Sequence, residues 1–241
     1  MGARCGVRAY GDLVTDLLDA LDRQTTLLVA DIRALDDLSA PSLCPGWSRD
    51  HVLNHIARNA EALSRLVGAA VDGTGETMYS SPEGRDADID AGVGRPAAVV
   101  VDEVAATAVP LAEDLRRLGP EHRDIELERT PGGPTFKGGM LPFMRLREVV
   151  YHHVDLDTGF GFDDLDGELQ TLFIENEIKR QQGGPSPLSA TIRSTEGDTW
   201  TLGDGATEVT GTRGAILRWL ARQDPSGVTS SGDLPSLTAG L

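Results

Sequence analysis

The sequence predicts an α+β protein, a bundle of four helices in residues 1–160 followed by a smaller α/β domain in 161–241. Three observations predict it. Before residue 160, four segments repeat apolar residues at spacings of three, four and seven, the period of amphipathic helices. After about 160, short runs of Thr, Ile, Trp and Val alternate with polar residues, as half-buried strands do. Those runs are separated by the turn signals Gly197-Asp198 and Gly203-Asp204-Gly205.

The first helix is expected from Tyr10 to Leu38, with Leu13, Leu17, Leu21, Leu28, Ile32 and Leu35 on its apolar stripe. Pro41 and the Cys44-Pro45-Gly46 turn end it. Ser48 is a good N-cap for the second helix, with Trp47 before it placed to close over Val52 as a hydrophobic staple. This helix runs to about Val71 and buries Val52, Ile56, Leu63, Leu66 and Val67. The third follows Pro96, with Val100, Val101, Val104, Ala108, Leu111, Leu115 and Leu118 inward and a kink expected at Pro110. Between the third and fourth, Asp124–Arg129, Pro131-Gly132-Gly133-Pro134 and Thr135–Gly139 read as a short hairpin or an irregular crossover. The fourth opens at Leu141-Pro142, with Pro near its first turn, and continues to Leu156, with Gly159 as its cap. Four amphipathic helices suffice for a bundle. In the second part, a helix over about 165–182 precedes strands at 188–194, 199–202 and 206–210, and a last helix covers 213–221.

Composition narrows the function. Of 241 residues, 22 are Lys or Arg and 38 Asp or Glu, a formal net charge of −16. Such a surface repels phosphate backbones, so no nucleic-acid partner is expected. No stretch approaches the roughly 20 apolar residues of a spanning helix, so no membrane partner is expected either. Met1 to Tyr10 has no apolar core of the leader type, which makes a cytoplasmic location the expectation. Cys5 and Cys44 make neither a disulfide framework nor a CxxC pair. With aromatics at 5%, the core must be aliphatic and Ala-rich.

The candidate chemistry lies in the histidines. Glu148 and His152 are four apart, so they share a helix face one turn apart and can reach one metal ion. Alone this is weak, since with five His and 38 acids such a spacing is expected about once by chance. His55 strengthens it by lying on the buried stripe of another helix with Val52, Ile56 and Asn59. Two His and one carboxylate with a vacant fourth position is the arrangement of catalytic Zn²⁺. The plainer reading stays open at this point: His55 as a hydrogen-bonded core residue, Glu148–His152 as a surface ion pair. His51 falls near the third helical position, where capping is its expected role. His153 lies about 100° around the helix from His152 and cannot share its ion.

The run Pro45-Gly46-Trp47-Ser48-Arg49-Asp50-His51-Val52-Leu53-Asn54-His55-Ile56-Ala57 resembles the metal-binding helix of the DinB-like superfamily. Arg147-Glu148-Val149-Val150-Tyr151-His152-His153-Val154-Asp155-Leu156 resembles its second metal motif, Arg-Glu-x-x-x-His-x-Val-Asp-Leu. Two more stretches narrow the resemblance to the mycothiol-dependent maleylpyruvate isomerase family: Met78-Tyr79-Ser80-Ser81-Pro82-Glu83-Gly84-Arg85, in the loop between the second and third helices, and Arg222 with Asp224-Pro225-Ser226-Gly227-Val228-Thr229-Ser230-Ser231.

The resemblance implies an N-terminal DinB-like four-helix bundle with a C-terminal α/β domain, and Zn²⁺ held by His55, Glu148 and His152. It implies mycothiol as a thiol nucleophile that adds to the cis double bond of maleylpyruvate and leaves after rotation, giving fumarylpyruvate in gentisate catabolism. It also gives Arg85 and Arg222 as candidate catalytic residues. Guanidinium groups suit this substrate, a dicarboxylate that an acidic protein would otherwise repel. Asn59 is a candidate to hydrogen-bond mycothiol or a metal ligand. Asp155 either orients His152 from behind or bonds to solvent in the last helical turn. Cys44, with no His at a suggestive position, reads as structural. A mycothiol S-transferase would keep the metal ligands without needing Arg85 or Arg222. A non-catalytic metal module would need a fourth protein ligand, and neither motif offers one. Oligomeric state is not readable from the sequence.

Overall fold

The computed structural model describes residues 10–184 and 186–238, so Cys5 and all but Tyr10 of the segment read for a leader lie outside it. The chain divides into two compact units, Met1–Thr158 and Gly159–Leu241.

In the first unit, α1 (Tyr10–Ile32), α2 (Arg49–Val71), α4 (Ala97–Leu115) and α5 (Leu141–Asp155) are the long helices, with a short α3 (Pro82–Asp90) and a hairpin of β1 (Glu126–Glu128) and β2 (Thr135–Lys137). The hairpin is antiparallel, with Leu127 opposite Phe136. Helix α2 is central, packing on both α4 and α5, while α1 lies against α5 and α4. Its Val52, Leu53, Ile56, Ala60, Leu63, Leu66 and Val67 are fully buried. A helix covered on more than one side must also satisfy every polar group it carries inward.

Those groups are met by neighbours. Asp50 takes the Gly94 amide on Oδ2 at 2.7 Å and the Asn54 amide nitrogen on Oδ1 at 2.7 Å. Arg95 donates to Asn54 Oδ1 at 2.7 Å. The chain after α3 comes so close that a Cβ on Gly92 would lie 1.8 Å from Asn54 Oδ1, so glycine is required there. Glu103 of α4 then receives both Arg58 of α2 and Arg95.

Helix α1 stops at Ile32, six residues before the expected end. Its core face is Val14, Leu21, Leu28 and Ile32, and Leu13, expected inward, is 45% exposed. Past the helix, Asp37 Oδ1 accepts the Ser39 amide at 2.8 Å and the Ser39 hydroxyl at 2.6 Å, a local turn that competes with helix continuation. Helix α4 continues through Pro110. His153 is buried and meets Asp31 of α1 at 2.8 Å, on a different side of α5 from His152.

The second unit holds α6 (Gly167–Gln182), β3 (Ala190–Ser194), β4 (Thr199–Leu202), β5 (Glu208–Gly211), α7 (Arg213–Arg222) and β6 (Val228–Ser230). Asp166 caps α6 by accepting from the Leu169 amide, and Thr212 caps α7 by accepting from Ala215. The strands order as β4-β3-β5-β6, with β3 and β5 parallel and the outer pairs antiparallel. Strand β6 was not expected, because three residues are too few to show a period. Helices α6 and α7 pack on each other, burying Phe173, Ile174, Ile216, Leu217 and Leu220. Among the described residues no helix is long and apolar enough to cross a membrane.

The Glu103 clasp makes a pH-dependent prediction. Burial works against its charge, but the bonds from Arg95 and Arg58 hold the carboxyl below its ordinary value of 4.5. A depressed folded pKa gives stability that is present above the unfolded value and lost as pH falls through the folded one. Glu103→Gln should therefore cost about 1 kcal/mol at neutral pH in urea denaturation. The difference from wild type should close progressively as pH is lowered below 4.5.

Candidate metal centre

The centre is assembled from two helix turns. Ser48 caps α2, accepting the His51 amide, while its own amide donates to His51 Nδ1 at 3.2 Å. This capping box occupies His51, as its place in the first turn predicted. One turn further, His55 projects from the buried face of α2 and is 4% exposed. Glu148 and His152 stand one turn apart on α5, which packs against α2. His55 Nε2 lies 2.8 Å from Glu148 Oε2, and His152 Nε2 lies 3.3 Å from the same oxygen. The two imidazole rings meet edge to face, 4.7 Å apart. Among the described residues no fourth His, Cys, Asp or Glu joins the three.

The surroundings hold these rings in place. The Trp47 ring lies 5.5 Å from His55, 6.4 Å from His152 and 6.3 Å from His51. The indole expected to close over Val52 thus lies among the histidine rings. Arg85 sits over Trp47 and over Tyr79, at 5.8 and 5.9 Å, with Nη2 3.3 Å from His55 Nδ1 and Nη1 on Asp86 at 2.6 Å. Arg85 is not on a loop as expected. It lies on α3, whose N-cap Ser81 accepts the Gly84 amide and whose first residue is Pro82. Ser-Pro-Glu was a legible helix start, but a nine-residue helix burying only Ile89 has no apolar stripe to reveal it.

Behind Glu148, α5 carries Arg145, 2% exposed, whose Nη1 donates to the Ile56 carbonyl at 2.9 Å and to Asn59 Oδ1 at 2.8 Å. Burial pulls this guanidinium down to about 10, so it stays charged at neutral pH beside Glu148. The sequence held a signal for it: Arg145 occupies the stripe between Leu141 and Val149, where an apolar residue is expected. Asn59 is buried and its oxygen is committed to Arg145. On the other side, His152 Nδ1 lies 2.9 Å from Asp155 Oδ2. Cys44 Sγ is 3.2 Å from that oxygen and 3.9 Å from His152 Nδ1, so the expectation of no nearby histidine is corrected. The residues between 44 and 152 hide this proximity in the sequence.

Charge states follow from these contacts. Burial disfavours the Glu148 carboxylate, yet bonds from His152 and His55 outweigh it and hold the group well below the usual range. Burial also disfavours protonated His152, but Asp155, Cys44 and Glu148 raise it well above its ordinary value. His55 goes the other way: its burial dominates over Glu148 and lowers it. Tyr79 is raised by burial. Two imidazole nitrogens converge on one carboxylate oxygen, a donor set suited to a borderline divalent cation. A carboxylate behind His152 is the usual support of a histidine ligand. The residues fit a zinc ion. Arg222 belongs to the second unit, at the end of α7, where its Nη1 donates to the Ala221 carbonyl at 3.2 Å.

The architecture and the cluster define a helical-bundle protein with a three-residue candidate metal centre and a separate α/β unit. The mycothiol maleylpyruvate isomerase N-terminal domain model matches residues 18–157, more than half of the chain, and the chain belongs to that family. Two solved structures cover 97% of this chain and 100% of their own, at a TM-score of 0.84 and 24% identity. One is the mycothiol-dependent maleylpyruvate isomerase, the other a histidine-to-alanine mutant of it, and they share this chain's fold. No curated protein sequence matches the chain.

The Arg145 environment is testable without any ligand. Asn59→Leu removes an acceptor from a buried guanidinium and should destabilise the metal-free protein by about 2–3 kcal/mol. Urea denaturation would check it, and an unchanged midpoint would mean that Arg145 does not depend on Asn59.

Proposed function

We propose that this chain is a zinc-dependent cis-trans isomerase that converts maleylpyruvate to fumarylpyruvate, with mycothiol as the thiol nucleophile. The observation that carries the reading is the convergence of His55, Glu148 and His152 on one point, with Arg85 beside it, in a chain of this family. His55, Glu148 and His152 would hold the zinc. When bound there, zinc would supply the acidity that turns a thiol, near pKa 8.5 when free, into a thiolate at neutral pH.

The reaction is redox-neutral. The thiolate adds to a carbon of the cis double bond, and the π electrons move onto the conjugated carbonyl oxygen as an enolate. Rotation about the new single bond follows. The enolate then re-forms the double bond, now trans, and expels the thiolate. The chain must bind two carboxylates and stabilise the enolate oxygen, work for fixed cations in a protein of formal charge −16. Arg85 and Arg222 are the proposed carboxylate binders. In the metal-free ring, His55 Nδ1 accepts from Arg85 while Nε2–H faces Glu148. Were Nε2 given to a metal, the proton of His55 would sit on Nδ1, and the Arg85 guanidinium, losing that acceptor, would be available to a carboxylate. Trp47 and Tyr79 limit where it can go, since its charge lies over both rings. Asn59 supports the site through Arg145, and a direct bond from its amide to mycothiol remains part of the proposal.

The test is isomerisation of maleylpyruvate by purified protein, with and without mycothiol, before and after chelation. Activity that needs both supports the reading. Zinc-loaded protein that isomerises nothing with mycothiol present overturns it and points to conjugation of the thiol to an electrophile instead. His152→Ala should lose both zinc and turnover. Arg85→Ala and Arg222→Ala should keep stoichiometric zinc while turnover falls about a hundredfold or more. An Arg222 variant with normal turnover removes that residue from the carboxylate site.

A further inference from the structure

We propose that Asp155 and Cys44 are positioning residues, a relay that sets which nitrogen of His152 carries the proton and so aims the other at the metal. This rests on the metal reading above. Asp155 is fully buried at the end of α5, and its Oδ2 lies 2.9 Å from His152 Nδ1. An ionised carboxylate only accepts, so the proton of a neutral His152 belongs on Nδ1 and the lone pair on Nε2. Nε2 is the nitrogen that faces Glu148.

The same Oδ2 accepts a second bond, from the Cys44 thiol at 3.2 Å. That thiol cannot drift, because its turn is tied at several points. The Cys44 amide donates to Ser42 Oγ at 3.1 Å, and the Trp47 amide returns to the Cys44 carbonyl at 3.0 Å. The Leu43 amide donates to the Asp155 carbonyl at 2.8 Å, which fastens the turn to the end of α5. Arg49 adds bonds to the Leu156 and Asp157 carbonyls at 2.7 and 2.8 Å. The Cys-Pro-Gly-Trp turn therefore has two tasks: it starts the helix that carries His55 and steadies the carboxylate that orients His152.

Cys44, His152 and Asp155 also have the donor atoms of a metal site on the Nδ1 side of the ring. A neutral imidazole offers one lone pair, so His152 serves one side only. Each side offers three donors, and the Nε2 side is the one with two imidazoles and a carboxylate, the set of a catalytic zinc site. A metal on the Nδ1 side would have the Cys44 thiolate as ligand, and this separates the alternatives experimentally.

The experiment measures zinc affinity by chelator competition, and cobalt(II) spectra, on the full chain. It compares wild type, Asp155→Asn, Cys44→Ala and Cys44→Ser. Asp155→Asn should weaken zinc about 10–100-fold, because an amide can present either a donor or an acceptor to Nδ1. Cys44→Ala should weaken it several-fold, and Cys44→Ser, which keeps a donor, should recover most of that. Wild-type protein loaded with cobalt should show no sulfur-to-cobalt charge-transfer band. Melting of the metal-free variants identifies any that fail to fold, and the Cys44 pair still decides if Asp155→Asn is one of them. Unchanged affinity in folded Asp155→Asn, equal weakening by Ala and Ser at 44, or a sulfur-to-cobalt band would each overturn the relay. A wild-type chain that takes up no zinc would instead overturn the metal reading on which it rests.

Discussion

The Glu148 carboxylate, placed between the Nε2 atoms of His55 and His152, is the interaction on which the first unit's chemistry depends. A carboxylate in so sheltered a position would ordinarily pick up a proton. It stays ionised because imidazole groups approach it from two helices, with the Arg145 guanidinium nearby. This couples packing to electrostatics. Helices α2 and α5 must meet at a register that brings position 55 opposite 148 and 152, and the aliphatic core beneath them supplies that register.

Around this pair the protein surrounds buried polar groups with partners rather than with apolar bulk. Asp50, Asn54, Asn59, Arg145 and Asp155 are all buried and all hydrogen-bonded. Unpaired, any one of them would cost stability. Paired, they fix the side chains whose positions matter. A partly satisfied network would leave His55 and His152 free to turn, and a site that relies on two nitrogens pointing at one place cannot tolerate that. The Trp47 ring, close to three histidine rings and under the Arg85 guanidinium, adds shape to the same enclosure.

The long helices were legible because burial leaves a period. Val52, Ile56, Leu63, Leu66 and Val67 trace α2, and Ser48 marks its start. His55 on that stripe and Glu148–His152 one turn apart made a metal site one reading of the sequence, beside a core histidine and a surface ion pair. Helix ends were less legible, since Leu35 continues a stripe that Asp37 and Ser39 interrupt with their own hydrogen bonds. The helix carrying Arg85 and the strand Val228–Ser230 escaped because neither is long enough to repeat. The surroundings of Cys44 were hidden for a different reason. Its neighbours His152 and Asp155 are more than a hundred residues away in sequence, and periodicity carries no information across such a gap.

By itself, then, the sequence determined the helical faces, the cap at Ser48, the change of architecture near residue 160, and the residue types able to hold a metal. These are local properties, set by the few residues within a turn or a strand pairing of each other. Only the tertiary structure decided which side chains face one another: Glu148 with His55, Arg145 with Asn59, Arg85 with His55, Cys44 with Asp155. Such pairings arise when helices far apart in sequence bury their apolar stripes together. The register of that burial then fixes which polar groups are left to find each other inside.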